Sequence, residues 1–280
     1  MKFTKMHGAG NDYVYIDARG LDGVDWPSLA VKMSDRHKGV GSDGIILATP
    51  AKKGHLQMRM FNADGSESEM CGNGIRCLTG FALTRGIVPR STSPVTVETL
   101  AGDKIVTPKW EGDRVVAATV SMGEPKFAIE DIPAIAPGQA MLMDYPLTID
   151  GYTFKLNGAS MGNPHAVAFI DTPVDQFPLD KIGPIVERHP MFPKRVNFEI
   201  VNIIDENHVK ARVWERGSGL TEACGTGACA IGAIGRLKRY TRSEVTVSLP
   251  GGDLLVRWPG EGPVILEGPV EEVFEGTWEA

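Results

Sequence analysis

His55-Leu56-Gln57-Met58-Arg59-Met60-Phe61-Asn62 leads through Glu69 to Cys71-Gly72-Asn73-Gly74, and His208-Val209-Lys210-Ala211-Arg212-Val213-Trp214-Glu215 leads through Glu222 to Cys224-Gly225-Thr226-Gly227. The two stretches align without a gap at an offset of 153 residues. Other pairs recur at nearly the same distance. Gly10-Asn11 before an apolar run ending in Asp17 matches Gly162-Asn163 before Ala166-Val167-Ala168-Phe169-Ile170-Asp171, and Arg36-His37 matches Arg188-His189. Val95-Thr96-Val97 with Gly102-Asp103 matches Val245-Thr246-Val247 with Gly252-Asp253. Repeats at one offset point to a duplicated domain, with halves expected near residues 1–119 and 120–269.

The alternation in Leu56 to Phe61 and in Val209 to Trp214 reads as strand, and Asp150-Gly151 between apolar runs reads as a hairpin turn. After Cys71, Ile75, Leu78, Ala82 and Leu83 recur at helical spacing until Gly86 supplies a stop. After Cys224 the run from Ala228 to Leu237 is apolar nearly all round, the mark of a buried helix. Ala128 to Gln139, with Pro133, Pro137 and Gly138, reads as a linker or long loop. The expected fold is α+β: two pseudo-symmetric strand-rich domains from an internal duplication, each a curved sheet or barrel around a central helix.

Composition narrows the function. The 280 residues are 42% hydrophobic and 23% charged with a net charge of −6, the profile of a globular protein of about two domains. A net negative chain lacks the basic face that nucleic acid or an anionic membrane would need, so the expected partner is a small molecule. Met1-Lys2-Phe3-Thr4-Lys5 opens without the apolar core of a signal peptide, and no apolar stretch approaches the roughly 18 residues of a membrane span. A cytoplasmic location follows as an expectation, and in that reducing compartment the four cysteines read as something other than structural disulfides.

Cys71 and Cys224 each fall at a helix N-terminus, where unpaired N–H groups and the positive end of the helix dipole lower a thiol's pKa and bind carboxylates. The neighbouring glycines at 72, 74, 225 and 227 let a ligand approach the backbone. If the halves pack about a two-fold, the two thiols face each other across a held carboxylate. Stereoinversion at a carbon acid needs such a pair, one base and one acid on opposite faces, with the N–H groups stabilising the charge that develops on the carboxylate. That chemistry calls for no metal and no cofactor. Cys77 and Cys229 read as packing residues. The spacings Cys71-x5-Cys77 and Cys224-x4-Cys229 do not suit structural zinc, and neither Gly-rich segment completes a phosphate or dinucleotide loop. A dithiol redox protein using Cys71 and Cys224 remains an alternative from the residues alone.

Asn62-Ala63-Asp64-Gly65-Ser66-Glu67 leading to Cys71-Gly72-Asn73-Gly74, and Glu215-Arg216-Gly217 leading to Ala223-Cys224-Gly225-Thr226-Gly227, resemble the diaminopimelate epimerases. The resemblance covers essentially the whole chain, from Gly8-Ala9-Gly10-Asn11-Asp12 through Gly162-Asn163-Pro164-His165 to Gly268-Pro269-Val270-Glu271. It implies an isomerase that interconverts LL- and meso-diaminopimelate without cofactor, as a cytoplasmic homodimer, in lysine and cell-wall precursor synthesis. By the same resemblance Cys71 and Cys224 are the acid–base pair, and Gly72, Asn73, Gly225 and Thr226 hold the reacting carboxylate. Asn11 lies near the reacting end; Asn62, Asn163, Asn197, Glu215 and Arg216 grip substrate, chiefly its distal end. His165 and Glu215 tune the thiols, and residues 270–280 return to the first domain. Gly44 stands where some members have a substrate-contacting glutamine, and Leu220 where many have a glutamate. A proline or hydroxyproline racemase of the same fold is the nearer alternative; the Glu215-Arg216 pair favours a substrate with a second zwitterionic end.

Overall fold

The computed structural model describes residues 1–279. The chain forms two compact units: Met1 to Ser121 joined by the segment from Glu267 onward, and Met122 to Leu266.

In the first unit β1 (Lys2–Gly8) and β2 (Asn11–Asp17) form a hairpin whose turn residues Ala9 and Gly10 both have positive φ, the conformation tight hairpins require. Helix α1 (Trp26–Ser34), capped by Asp25, carries the chain to β3 (Gly44–Thr49), which runs parallel to β2 with Val14 opposite Ile45. β4 (Leu56–Asn62) returns antiparallel to β3, and the short β5 (Glu67–Ser68) folds back on β4. Then comes α2 (Gly72–Thr84), followed by β6 (Val95–Glu98) parallel to β4, and the antiparallel β7 (Lys104–Glu111) and β8 (Arg114–Gly123).

The second unit repeats this order. After β9 (Tyr145–Ile149), β10 (Tyr152–Ser160) and β11 (Pro164–Phe169) form a hairpin, α3 (Leu179–Glu187) crosses over, and β12 (Asn197–Asp205) runs parallel to β11. β13 (His208–Glu215), β14 (Gly219–Thr221), α4 (Gly225–Leu237), β15 (Glu244–Leu249) and β16 (Gly252–Arg257) follow with the same pairings. Asp150 and Gly151, both at positive φ, make the β9–β10 turn. The registers equate Tyr13 with His165, Gly44 with Asn197, and Ile46 with Glu199. One element changes its place in the order. The strand flanking β10 in the second unit is β9, which precedes it; the strand flanking β1 in the first unit is Glu271–Thr277, the last in the chain.

The middle strands are buried on both faces, which explains their continuous apolar runs. Val14, Ile16, Ile45 and Leu47 pack with Leu29 and Met33 of α1. Their alternates Tyr15 and Ile46 point the other way, toward α2. That helix is buried from Gly72 through Leu83 and is enclosed by β1, β2, β3, β6 and β7. Each large apolar side chain so buried stabilises the unit by roughly 1.5–3 kcal/mol. α2 ends where Gly86, at φ 69°, turns the chain and Ile87 N–H returns to Ala82 O. In the second unit Ala166, Ala168, Phe198 and Ile200 pack with Leu179 and Ile182 of α3, while α4 is enclosed by β10, β11, β12, β15 and β16. The segment from Ala128 to Gln139 is packed onto this unit: Ile132 and Ala136 are buried, and Ile135 N–H donates to Met191 O.

Candidate active site

Cys71 and Cys224 are the N-cap residues of α2 and α4, both in extended conformation. A cysteine here does what serine or aspartate does at most helix starts. The N–H of Gly74 donates to Cys71 Sγ at 3.4 Å and that of Gly227 to Cys224 Sγ at 3.3 Å. Each sulfur therefore sits against the positive end of a thirteen-residue helix. A Cβ on Gly74 would press on Ile46 Cδ1, the movable tip of that side chain; one on Gly227 would lie 2.9 Å from Glu199 Oε1.

Around Cys71 the polar contacts run outward through Asn11. Cys71 Sγ donates to Asn11 Oδ1 at 3.2 Å, and Asn73 Nδ2 approaches the same oxygen at 3.4 Å. Asn11 Nδ2 donates to Asp43 Oδ2 at 2.6 Å, and Asp43 is paired through Oδ1 with Arg36. Asp43 thus fixes which end of the Asn11 amide faces the sulfur. Burial and the adjacent Asp12 push the Asp43 carboxyl above its ordinary range. The buried Tyr13 hydroxyl lies within hydrogen-bonding reach of both Asn11 and Cys71, and burial raises its pKa well above ordinary tyrosine. Asn62 closes the turn after β4, its Nδ2 donating to Ser66 Oγ at 3.0 Å. Cys77 faces the core, and burial pushes its thiol up to about 11.

Around Cys224 the environment is acidic. Burial, then Glu215 and Glu199, push its thiol well above the ordinary cysteine value, against the lowering bonds from Thr226 and Gly227. The lowered pKa expected from a helix end is therefore outweighed here. Removal from water and two neighbouring carboxyls exceed a half-charge. Glu215 is itself raised by burial, with Thr221 Oγ1 donating to its Oε1 at 2.6 Å. His165 is fully buried between Glu199 Oε1 (2.6 Å) and Asn163 Oδ1 (3.0 Å), and Asn163 Nδ2 donates to Thr226 Oγ1 at 3.3 Å.

Asn197 is buried beside the exposed Arg216 in the second unit. Asn197 Nδ2 donates to Pro164 O (2.8 Å) and its Oδ1 accepts from Arg216 N–H (2.8 Å). Both ends of this amide are thus occupied by backbone, and its role in the structure is to fix the Glu215-Arg216 corner. The Arg216 side chain is exposed, with one bond to Lys194 O at 3.4 Å. Glu187 of α3 supports the same corner, accepting from Trp214 Nε1 (2.9 Å) and Gly217 N–H (3.0 Å).

Asp43, Tyr13, Glu187 and Glu199 carry polar contacts that sequence reading did not single out. The repeat register held a signal for two of them, since it equates Tyr13 with His165 and places Glu199 where its counterpart is Ile46. The Leu220 departure also has a local counterpart. Arg59 pairs with Glu67 at 2.7 Å in the first unit; the equivalent Arg212 instead donates to Val174 O and Phe177 O at 2.9 and 3.1 Å. Gly44, at φ 158°, has no room for a Cβ against Phe61 O.

The fold is shared with solved structures of low identity. A Bacillus anthracis phenazine biosynthesis protein of the PhzF family superposes with a TM-score of 0.72 at 16% identity, over 99% of this chain and 98% of that one. A hydroxyproline epimerase from Agrobacterium vitis gives 0.67 at 15% identity, over 99% and 90%. These likenesses define the fold class, a duplicated α+β architecture with one enclosed helix in each half. The family is given by sequence: the diaminopimelate epimerase model matches residues 3–128 and 158–273, one match in each half. A diaminopimelate epimerase of Methanococcus maripaludis is 47% identical over 277 residues, 99% of both chains. The chain belongs to the diaminopimelate epimerase family.

Proposed function

We propose that the protein is an isomerase interconverting LL- and meso-diaminopimelate, with Cys71 and Cys224 as the acid–base pair. The observation that carries this reading is that each half caps its enclosed helix with a cysteine whose sulfur accepts a backbone N–H. A thiolate removes the α-proton from one face. The electron pair left on carbon delocalises into the carboxylate, whose added charge the helix N–H groups at Gly72, Asn73, Gly225 and Thr226 stabilise. The opposite thiol then gives its proton to the other face. Thiol and thiolate have exchanged roles, so the reverse reaction finds its base already in place.

Asn11 belongs to the reacting end in this reading, and Asn62, Asn163, Asn197, Glu215 and Arg216 to recognition of the substrate, with Arg216 forking onto the distal carboxylate. His165 and Glu215 tune Cys224. The two compact units would be the two epimerase halves, and the working form a cytoplasmic homodimer. No helix among the described residues is long and apolar enough to cross a membrane.

The test is α-carbon labelling in deuterated buffer with reductant, following LL-diaminopimelate by NMR. Two different thiols, both carrying solvent deuterium, give meso product labelled from the first turnover. Product that retains hydrogen refutes the two-thiol mechanism. Labelling of proline without diaminopimelate turnover moves the protein to a different racemase activity, and no labelling of either supports the dithiol redox alternative.

A further inference from the structure

Glu199 is a buried carboxyl that the mechanism above leaves without a task. It lies in β12 with no exposed surface, and its Oε2 has no hydrogen-bond partner among the described residues. Leaving a buried acceptor unsatisfied costs about 1–3 kcal/mol. The equivalent position in the first unit avoids that cost with Ile46, so filling space under the helix does not require a carboxyl.

From its other oxygen a continuous chain of contacts leads to the sulfur. Glu199 Oε1 is 2.6 Å from His165 Nδ1, His165 Nε2 is 3.0 Å from Asn163 Oδ1, Asn163 Nδ2 is 3.3 Å from Thr226 Oγ1, and Thr226 Oγ1 is 3.5 Å from Cys224 Sγ. Donor chemistry gives the sense of the links from Thr226 back to His165. Asn163 uses its amide nitrogen on Thr226, so its oxygen accepts and His165 Nε2 carries a hydrogen. Thr226 Oγ1 accepts from Asn163 and has its own hydrogen to give to Cys224 Sγ, 3.5 Å away. An imidazole protonated at Nε2 needs a partner at Nδ1 that shares one further proton, and Glu199 is that partner.

We propose that Glu199 is a positioning residue for Cys224: its bond to His165 holds the imidazole protonated at Nε2 and so, through Asn163 and Thr226, delivers a hydroxyl hydrogen to the sulfur. The inference rests on the reading of Cys224 as an acid–base thiol. The first unit is ordered in the opposite sense. There Asp43 takes the Asn11 amide nitrogen, and the sulfur of Cys71 meets a carbonyl oxygen. Beyond the helix N–H that each sulfur accepts, Cys71 meets an acceptor and Cys224 a hydroxyl, which makes two repeat-equivalent cysteines chemically unequal. Within its unit Cys224 also faces Glu215 of β13 and the N–H of Gly227, so removal of Glu199 leaves those groups to act alone.

The experiment uses the full-length enzyme labelled with ¹⁵N-histidine, the His165 signals being assigned by their loss in His165→Asn. Wild type is expected to show Nε2 protonated. Glu199→Gln, whose amide can donate to Nδ1, should keep that tautomer and turnover within about threefold. Glu199→Leu should lower kcat about tenfold with KM within about twofold, the split expected when a group aligns the thiol rather than binding substrate. A bare Nε2 in wild type overturns the proposal, as does a folded Glu199→Leu enzyme with unchanged kcat. If the leucine variant does not fold, the tautomer in wild type and Glu199→Gln decides. A tenfold loss in the glutamine variant with Nε2 still protonated would assign the effect to charge and overturn the hydrogen-bond role. Deuterium labelling by the same wild-type sample tests the epimerase reading separately, because the imidazole signals are observable whether or not diaminopimelate turns over.

Discussion

Ile46 and Glu199 occupy equivalent positions, each in the strand that passes beneath the first turn of a cysteine-capped helix, the first against Gly74 and the second against Gly227. Beside Asn62 and Glu215, also equivalent by the repeat, this makes the surroundings of Cys71 neutral at two places where those of Cys224 are carboxylic. The duplication supplied two similar helix starts; substitutions beneath them have separated their chemistry.

Replacing either thiol should expose the division of labour. Cys71→Ala and Cys224→Ala are each expected to lower epimerisation by at least the 10²- to 10⁴-fold typical of a lost acid or base, while circular dichroism stays that of the parent. Near-normal turnover in either folded variant would remove the two-base mechanism.

Arg216 is exposed and lightly tethered, so its loss should leave the fold untouched. Arg216→Met is expected to raise KM for diaminopimelate by about 10- to 150-fold, corresponding to about 1.5–3 kcal/mol for a charged hydrogen-bonding partner, with little change in alkylation of Cys71 by iodoacetamide. A parental KM would show that Arg216 does not hold the distal carboxylate.

Cys77 provides a pH signature in stability. Its folded pKa of about 11 lies above the ordinary value of 9.0, so between those values the unfolded chain loses its proton more readily than the folded one. Stability tied to this thiol is complete below about pH 9 and falls as pH rises toward 11, by about 2–3 kcal/mol in all. Denaturant melts of wild type and Cys77→Ala across that window should differ in slope, the variant being flatter; parallel slopes would contradict the assignment.

Leu220→Glu would restore the acid that Glu67 supplies to Arg59 in the first unit. Arg212 already gives two bonds to backbone carbonyls, and an exposed ion pair contributes only about 0.2–1 kcal/mol. Kinetic constants within about twofold of wild type and a small change in melting temperature are expected. A large gain in kcat would show that Leu220 disturbs the site.

Much of the architecture could be read from the chain because the repeat aligned its punctuation. Gly10-Asn11 with Gly162-Asn163, and the two Cys-Gly-x-Gly starts, are local signals, and local signals survive in sequence. The crossing helices α1 and α3 were not distinguished. Their apolar stripes are short, and α3 contains Pro184 in its interior. The polar partners of the thiols were the least legible part. Asp43 reaches Asn11 over 32 residues and Glu199 reaches His165 over 34, so nothing in either neighbourhood announces the contact. Asn197-Phe198-Glu199-Ile200-Val201 is buried along its whole length, which removes the alternation that would assign Glu199 to a face. A helix end lowers a thiol's pKa, but at Cys224 burial and two carboxyls, Glu215 close in sequence and Glu199 brought in by folding, outweigh it.

The strand Glu271–Thr277, which flanks β1, has a consequence for biosynthesis. The second unit is continuous in sequence and can assemble as soon as it has left the ribosome. The first unit is made earlier but must wait with one edge of β1 unpaired while residues 122 to 266 are translated. At about 5–20 residues per second that interval lasts some seconds, and an unpaired strand edge is a template for wrong partners. Lys2 at the start of β1 is exposed and places charge on that edge, a common means of discouraging association before the last strand arrives. Completion of the first unit thereby waits until the second has been translated.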